Sequence, residues 1–125
     1  MNVRDATGDD ADAMDRVADD DIDAARLVRD RTVRVADDNG DIAGFVAFDA
    51  WRGAVHVTRL AGDAETVGAL LDGPREFAAN EGLSVEAVLN EDDALGDVLE
   101  AEGFEDVGAG PRFDGAPTRR YRWEP

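Results

Sequence analysis

The chain has 125 residues, 43% of them apolar, and carries 30 acidic side chains against 13 basic ones and a single histidine, for a net charge of −17. That length suits one domain, 1–125, with one core; no apolar run approaches the roughly 20 residues a membrane helix needs, and the missing basic footprint excludes a nucleic-acid partner. With no cysteine there is no disulfide, no thiolate nucleophile and no thiolate metal ligand.

Asn2 to Ala6 reads as a short strand. Asp9 to Ile22 reads as a helix, because Ala11, Met14, Ala18 and Ile22 recur at helical spacing. Ala24 to Val28 is a second, short helix, and Val33 and Val35 alternate with Arg34 as in a strand with one wet face. Asn39-Gly40 between two strand-like runs predicts a hairpin. The almost wholly apolar run Ile42 to Phe48 predicts a central strand buried on both faces. Trp51-Arg52-Gly53 turns the chain into a strand over Val55 to Ala61.

Ala64 to Glu81 carries Val67, Leu70, Leu71, Pro74 and Ala78 in one helical phase, which predicts a single helix kinked at Pro74 and capped by Gly82. Leu83 to Leu89 is a strand, and Asp92 caps a helix bearing Leu95, Val98 and Leu99 that Gly103 ends. Phe104 to Val107 and Thr118 to Trp123 close the chain as two strands, joined by the Gly/Pro-rich stretch Gly108 to Pro117. Strands linked by both hairpins and helices make an α/β (α+β) fold, a mixed sheet with helices on its faces.

All thirteen basic residues are arginines. At −17 a small domain repels itself in dilute solution, and molar salt, with a screening length of about 3 Å, removes most of that penalty. The composition therefore predicts a halophilic, acidic protein. The N-terminus lacks the basic-then-apolar pattern of a secretory signal, so a cytoplasmic location is expected, with no membrane partner.

Several residues invite chemistry. His56 lies between two valines on a strand and can accept a proton from an amine; Glu86 on a later strand can do the same, directly or through water. Each can equally be a hydrogen-bonded structural residue. Asp37-Asp38-Asn39-Gly40-Asp41 fails as a calcium loop: the sixth and twelfth positions counted from Asp37 are Ile42 and Phe48, and from Asp38 they are Ala43 and Asp49. Asp19-Asp20-Asp21 reads as a solvated helix end with at most weak cation binding, and one histidine without cysteine makes no zinc site. Arg112, Arg119, Arg120 and Arg122 form a basic cluster, suited to pairing with surface acids or to receiving an acidic partner or a phosphate.

The order of elements resembles the GNAT (N-acetyltransferase) superfamily over essentially the whole chain. The most specific local match runs from Asn90 through Glu91-Asp92-Asp93-Ala94-Leu95-Gly96-Asp97-Val98-Leu99-Glu100-Ala101-Glu102 to Gly103-Phe104, similar to the family segment in which Asn ends the fifth strand and Gly-Phe opens the sixth. Val3-Arg4-Asp5-Ala6-Thr7, followed by an Asp-rich helix, is similar to the family's first strand and helix start. The resemblance implies a mostly antiparallel central sheet of six or seven strands with about four flanking helices.

It further implies acetyl-CoA as co-substrate and a primary amine, on a small molecule or a protein, as acceptor. By the resemblance the backbone of Arg59, Leu60 and Ala61, together with Asn90, holds the pantetheine arm, and Thr66, Val67, Gly68 and Ala69 hold the pyrophosphate. Gly68-Ala69-Leu70-Leu71 matches the end of the family's phosphate-loop pattern; its leading basic residue and first glycine are absent, and Asp63 and Glu65 stand at the helix start. Leu99 occupies the place where many members carry a proton-donating tyrosine. Tyr121, the only tyrosine, is the remaining candidate acid, or else a half-buried strand aromatic. A catalytically inactive binding or interaction module of the same fold, or a homodimer that completes the site, is the alternative.

Overall fold

The computed structural model describes residues 1–18 and 22–125. A seven-stranded sheet has the order β1-β2-β3-β4-β5-β7-β6, built from β1 (Asn2–Asp5), β2 (Thr32–Asp38), β3 (Asp41–Trp51), β4 (Ala54–Ala61), β5 (Ser84–Asn90), β6 (Glu105–Ala109) and β7 (Thr118–Trp123). Every neighbouring pair is antiparallel except β4 and β5, which run parallel because an 18-residue helix joins them. Helices α1 (Ala11–Val17) and α2 (Ala24–Asp30) follow β1, α3 (Ala64–Glu81) follows β4, and α4 (Leu95–Ala101) follows β5.

Two cores lie on opposite faces of the sheet. One, under α3 and α4, gathers Val46, Phe48, Val55, Val57, Leu70, Leu71, Leu99, Phe104 and Tyr121. The other, under α1 and α2, gathers Met14, Ala24, Val33, Val35, Phe45 and Ala61. β3 supplies both, and Phe45 to Phe48 are buried without a break, as the apolar run predicted. The second pair of helices covers β2 to β4 alone, so that face of β5, β7 and β6 stays open.

Most elements arise where the periodicity placed them. The hairpin turns on Asn39 and Gly40 at φ 53° and 96°, with the Gly40 N–H donating to the Asp37 carboxylate at 2.7 Å. α3 is one helix through Pro74, whose ring is buried, and Gly82 ends it at φ 69° while the Leu83 N–H donates to the Ala78 carbonyl at 2.8 Å.

Two expectations need correction. The first helix is shorter than Asp9 to Ile22: Gly8–Asp10 form a 3₁₀ turn, and the α-helix stops at Val17, with Ala18 extended at ψ 138°. Carboxylates at 19–21 would face the negative end of a longer helix, which disfavours its extension; the solvated helix end read at Asp19-Asp20-Asp21, with at most weak cation binding, lies outside the described residues. Asp92 does not cap α4: the residue at the cap position is Ala94, which offers no side-chain acceptor, and the Asp93 carboxylate accepts from the Leu95 N–H at 2.9 Å. β1 is pinned to the chain that follows it by Arg4, which donates both terminal nitrogens to buried Asp10 at 2.9 Å and holds that carboxyl down at about 2.

Candidate active site

The feature that sets up a site is a divergence between β4 and β5. Their parallel ladder runs from Ala54↔Ser84 to Val57↔Ala87 and then stops, although β4 continues to Ala61 and β5 to Asn90. At the same level β4 bulges: Phe48 pairs with Val57 and Ala47 with Arg59, so Thr58 is the extra residue. A bulge turns the local strand direction, and Thr58 holds the distortion by donating its hydroxyl to the Ala47 carbonyl at 3.3 Å. Past Val57 the facing edges of the two strands have no partner strand, and a cleft of about 120 Å³ opens between Thr58 to Leu60 on one side and Val88 to Asn90 on the other.

The cleft opens onto the uncovered face of the sheet. There His56 and Glu86 stand in register as neighbours across β4 and β5, and Glu86 is in turn opposite Arg122 on β7. His56, Thr58, Arg59, Glu86, Val88 and Arg120 line a cavity of about 430 Å³ that shares a wall with the cleft. A second, shallower hollow of about 620 Å³ continues it past His56 toward Trp51 and the end of α2. The His56 Nε2 lies 3.0 Å from the Trp51 carbonyl oxygen. A carbonyl only accepts, so that nitrogen carries the proton and Nδ1 is the basic atom of the neutral ring. Glu86 is half-buried and has neither a hydrogen bond nor an ion pair among the described residues.

One rim of the cavity comes from the β6–β7 connection, read from sequence only as a joining stretch. Thr118, fully buried, donates its hydroxyl to the Pro111 carbonyl, and the Gly110 N–H donates to the Thr118 carbonyl at 3.1 Å. Phe113 and Ala116 then pair around Asp114 and Gly115 at φ 51° and 80°, a tight turn that needs left-handed residues. The result places Phe113, 54% exposed, at the edge of both the cavity and the cleft. Phe113 is a lining residue that sequence reasoning missed, and Arg120, read there as one of a basic cluster, was not placed beside His56 and Glu86. The Asp-Gly pair was the available signal of a turn, but nothing local says where that turn packs.

The expected pyrophosphate region is arranged differently from the family pattern. Asp63 caps α3, accepting from the Thr66 N–H at 2.9 Å, and that bond holds its carboxyl below the ordinary value. Thr66 is buried with its hydroxyl 3.8 Å from the Met1 sulfur, and Val67 is wholly inside the core. Gly68 has a packing role: a Cβ there would stand 3.1 Å from the Glu102 carboxylate of the neighbouring α4 segment. Arg75 ties the same corner, donating to the Glu102 carbonyl at 2.9 Å, its carboxylate at 3.1 Å and the Gly68 carbonyl at 3.3 Å. Ala69 is half-buried beside it. The side chains around this helix start are carboxylates, so an anion there would rest on the first-turn backbone N–H groups and the helix dipole.

The fold thus brings together His56, Glu86, Arg59, Leu60 and Asn90 around the cleft, with Ala61 at its far end packed into the second core. Thr66 to Ala69 lie on the helix that follows. Tyr121 is not among them: its ring is on the opposite face, buried under α4 with the hydroxyl against Gly96. Burial first, then nearby Asp106 and Glu100, push its phenol above the ordinary value. Leu99 is wholly buried in the same core. Among the described residues no group of three or more His, Asp or Glu side chains is placed to hold a metal, and no helix is long and apolar enough to cross a membrane.

No protein-family model matches the chain, and no curated protein matches its sequence. Solved structures do match its shape. A Desulfovibrio desulfuricans protein described as an acetyltransferase of the GNAT family superposes with a TM-score of 0.78 at 18% identity, covering 98% of each chain. A Bacillus anthracis protein described as a streptothricin acetyltransferase, solved with acetyl coenzyme A, gives 0.79 at 11% identity over 98% of this chain and 97% of that one. A Thermus thermophilus protein reaches 29% identity with a TM-score of 0.70, covering 90% of this chain and 93% of its own. The fold of this chain, across nearly its full length, is that of the GNAT acetyltransferases.

Proposed function

We propose that the protein transfers an acetyl group from acetyl-CoA to a primary amine. The observation that carries this reading is the cleft between β4 and β5, whose two unpaired strand edges suit an extended amide-bearing arm such as pantetheine. Acetyl-CoA would supply the activated acetyl group as a thioester. The closed end of the cleft, at Val57 and Ala87, lies beside His56 and Glu86 on the open face. An amine held there would form the new C–N bond as the C–S bond breaks, its proton passing to His56 Nδ1 or to Glu86. CoA would leave as a thiolate that takes up a proton from that group or from solvent. Holding the two reactants together accounts for most of the rate gain, as expected where few catalytic groups are present.

A second reading has its own support. The carboxylates of Asp63 and Glu65 at the start of α3, and buried Leu99 in place of a proton donor, favour a binding module without catalysis. Calorimetry with acetyl-CoA in molar KCl separates the two. Micromolar binding followed by release of free thiol in the presence of an amine is the expected result. Absence of binding would sink the enzyme reading, and binding without turnover across a broad amine panel would leave the module.

A further inference from the structure

In a chain with 30 carboxylates and 13 arginines, an exposed guanidinium ordinarily finds an acid nearby. Arg4, Arg26, Arg29, Arg31, Arg34, Arg75, Arg119 and Arg122 each have a carboxylate oxygen within 4.0 Å, whereas among the described residues Arg16 and Arg52 have none, Arg52 lying over the Trp51 ring and neither of them lining the cavity. Within the C-terminal basic cluster, Arg119 pairs with Asp106, Arg122 with Glu124, and Arg112 donates to the Gly115 carbonyl. Arg120 departs from this: among the described residues it has no hydrogen bond and no ion pair. Arg59 reaches nothing but the Thr58 carbonyl, at 3.1 Å. These two arginines come from different strands, yet both line the cavity that holds His56 and Glu86.

The placement of charge inside that cavity is directional. Glu86 and His56 stand at one level of the sheet; Arg120 pairs with Val88, two residues further along β5, and Arg59 lies three residues beyond His56 on β4. At roughly 3.3 Å of rise per residue the cationic end is about 7–10 Å from the acidic end, before side-chain reach shortens the gap. Glu86 forms no ion pair with either guanidinium: among the described residues no nitrogen of either lies within 4.0 Å of its carboxylate oxygens. A cavity with an unpaired carboxylate and a proton acceptor at one end, and two unpaired guanidinium groups at the other, is complementary to a molecule carrying an ammonium and a carboxylate. Phe113 at the rim adds an apolar surface for the part between or beyond them.

We infer that the acceptor is a small carboxylate-bearing amine, of the amino-acid class, with its amine at His56 and Glu86 and its carboxylate on Arg120 and Arg59. This rests on the reading of the cavity as the acceptor site. It runs against the simple expectation from net charge, under which an acidic protein takes a polycation. Local pairing decides here because molar salt weakens a direct contact between charges less than it weakens the long-range field of the surface.

The test uses the full chain in molar KCl. Glycine, β-alanine, 4-aminobutyrate and phenylalanine are each compared with their methyl esters, which keep the amine and remove the negative charge. Binding is read by chemical-shift changes, with and without acetyl-CoA. At least one acid should bind about tenfold or more tightly than its ester. Arg120→Gln should abolish that preference and Arg120→Lys should restore part of it, both leaving acetyl-CoA affinity within about twofold. Esters binding as well as acids in every pair, no binding of any acid, or a preference untouched in Arg120→Gln would each overturn the inference. Failure of acetyl-CoA to bind the unmodified chain would defeat the transferase reading by itself, and the acid-against-ester comparison without acetyl-CoA would still return its own answer.

Discussion

At the scale of single residues, the structure gives three glycines reasons that no loop motif would suggest. Gly44 leaves room for the Ala61 carbonyl of the neighbouring strand, Gly68 for Glu102, and Gly96 for the Tyr121 hydroxyl. The last case is testable because its obstacle is one removable atom. Gly96→Ala should lower stability by about 1–3 kcal/mol, as over-packing a filled core does. Adding Tyr121→Phe should recover much of that loss, a coupling read by urea unfolding of the four members of the cycle. The same contact explains why Tyr121, a reasonable acid on paper, lies away from His56 and Glu86: β7 alternates, so residue 121 faces α4 while 120 and 122 face the open side.

At the scale of elements, α3 carries a tension between folding and the proposed binding of acetyl-CoA. Its capping acid satisfies the Thr66 N–H, which stabilises the helix, and also places a negative charge where a pyrophosphate would approach. Asparagine caps a helix about as well as aspartate. Asp63→Asn should therefore fold normally and bind acetyl-CoA roughly threefold more tightly at moderate ionic strength, the gain shrinking in molar KCl. An unchanged affinity at both salt concentrations would mean that the phosphates rest elsewhere. The β6–β7 connection acts in the opposite sense. Buried Thr118 and the Phe113–Ala116 pair make a hydrogen-bonded rim from a stretch whose composition reads as loop.

For the whole molecule, the net charge of −17 dominates its behaviour in solution. Most of the ion pairs are at the surface and are worth little individually. Unpaired acids remain in large excess over the arginines. The melting temperature should thus rise by about 5–10 °C between dilute buffer and molar KCl, measured by circular dichroism at fixed pH. A salt-independent melting curve would remove the case for adaptation to a salt-rich medium.

The class and order of the elements were legible in the amino-acid pattern alone. Period-2 and period-3.6 apolar patterns, Asn39-Gly40, Gly82 and Gly103 are local signals, and each marks the element or turn it should. The pattern was also enough to place His56 and Glu86 on strands; that those strands are neighbours with the two residues in register came from the pairing of the folded sheet. Where local signals compete they gave boundaries too generous, as at Val17, where a favourable apolar phase meets a run of acids. Tertiary structure alone decided the site. The bulge at Thr58 and the parting of β4 from β5 depend on how three strands are paired, and Arg59, Phe113 and Arg120 meet there from segments up to 61 residues apart in the chain. That an arginine in so acidic a protein lacks a carboxylate is a property of the assembled surface. Only the folded molecule brings Arg120 and Arg59 to one cavity, and with them the charge arrangement on which the proposed acceptor class rests.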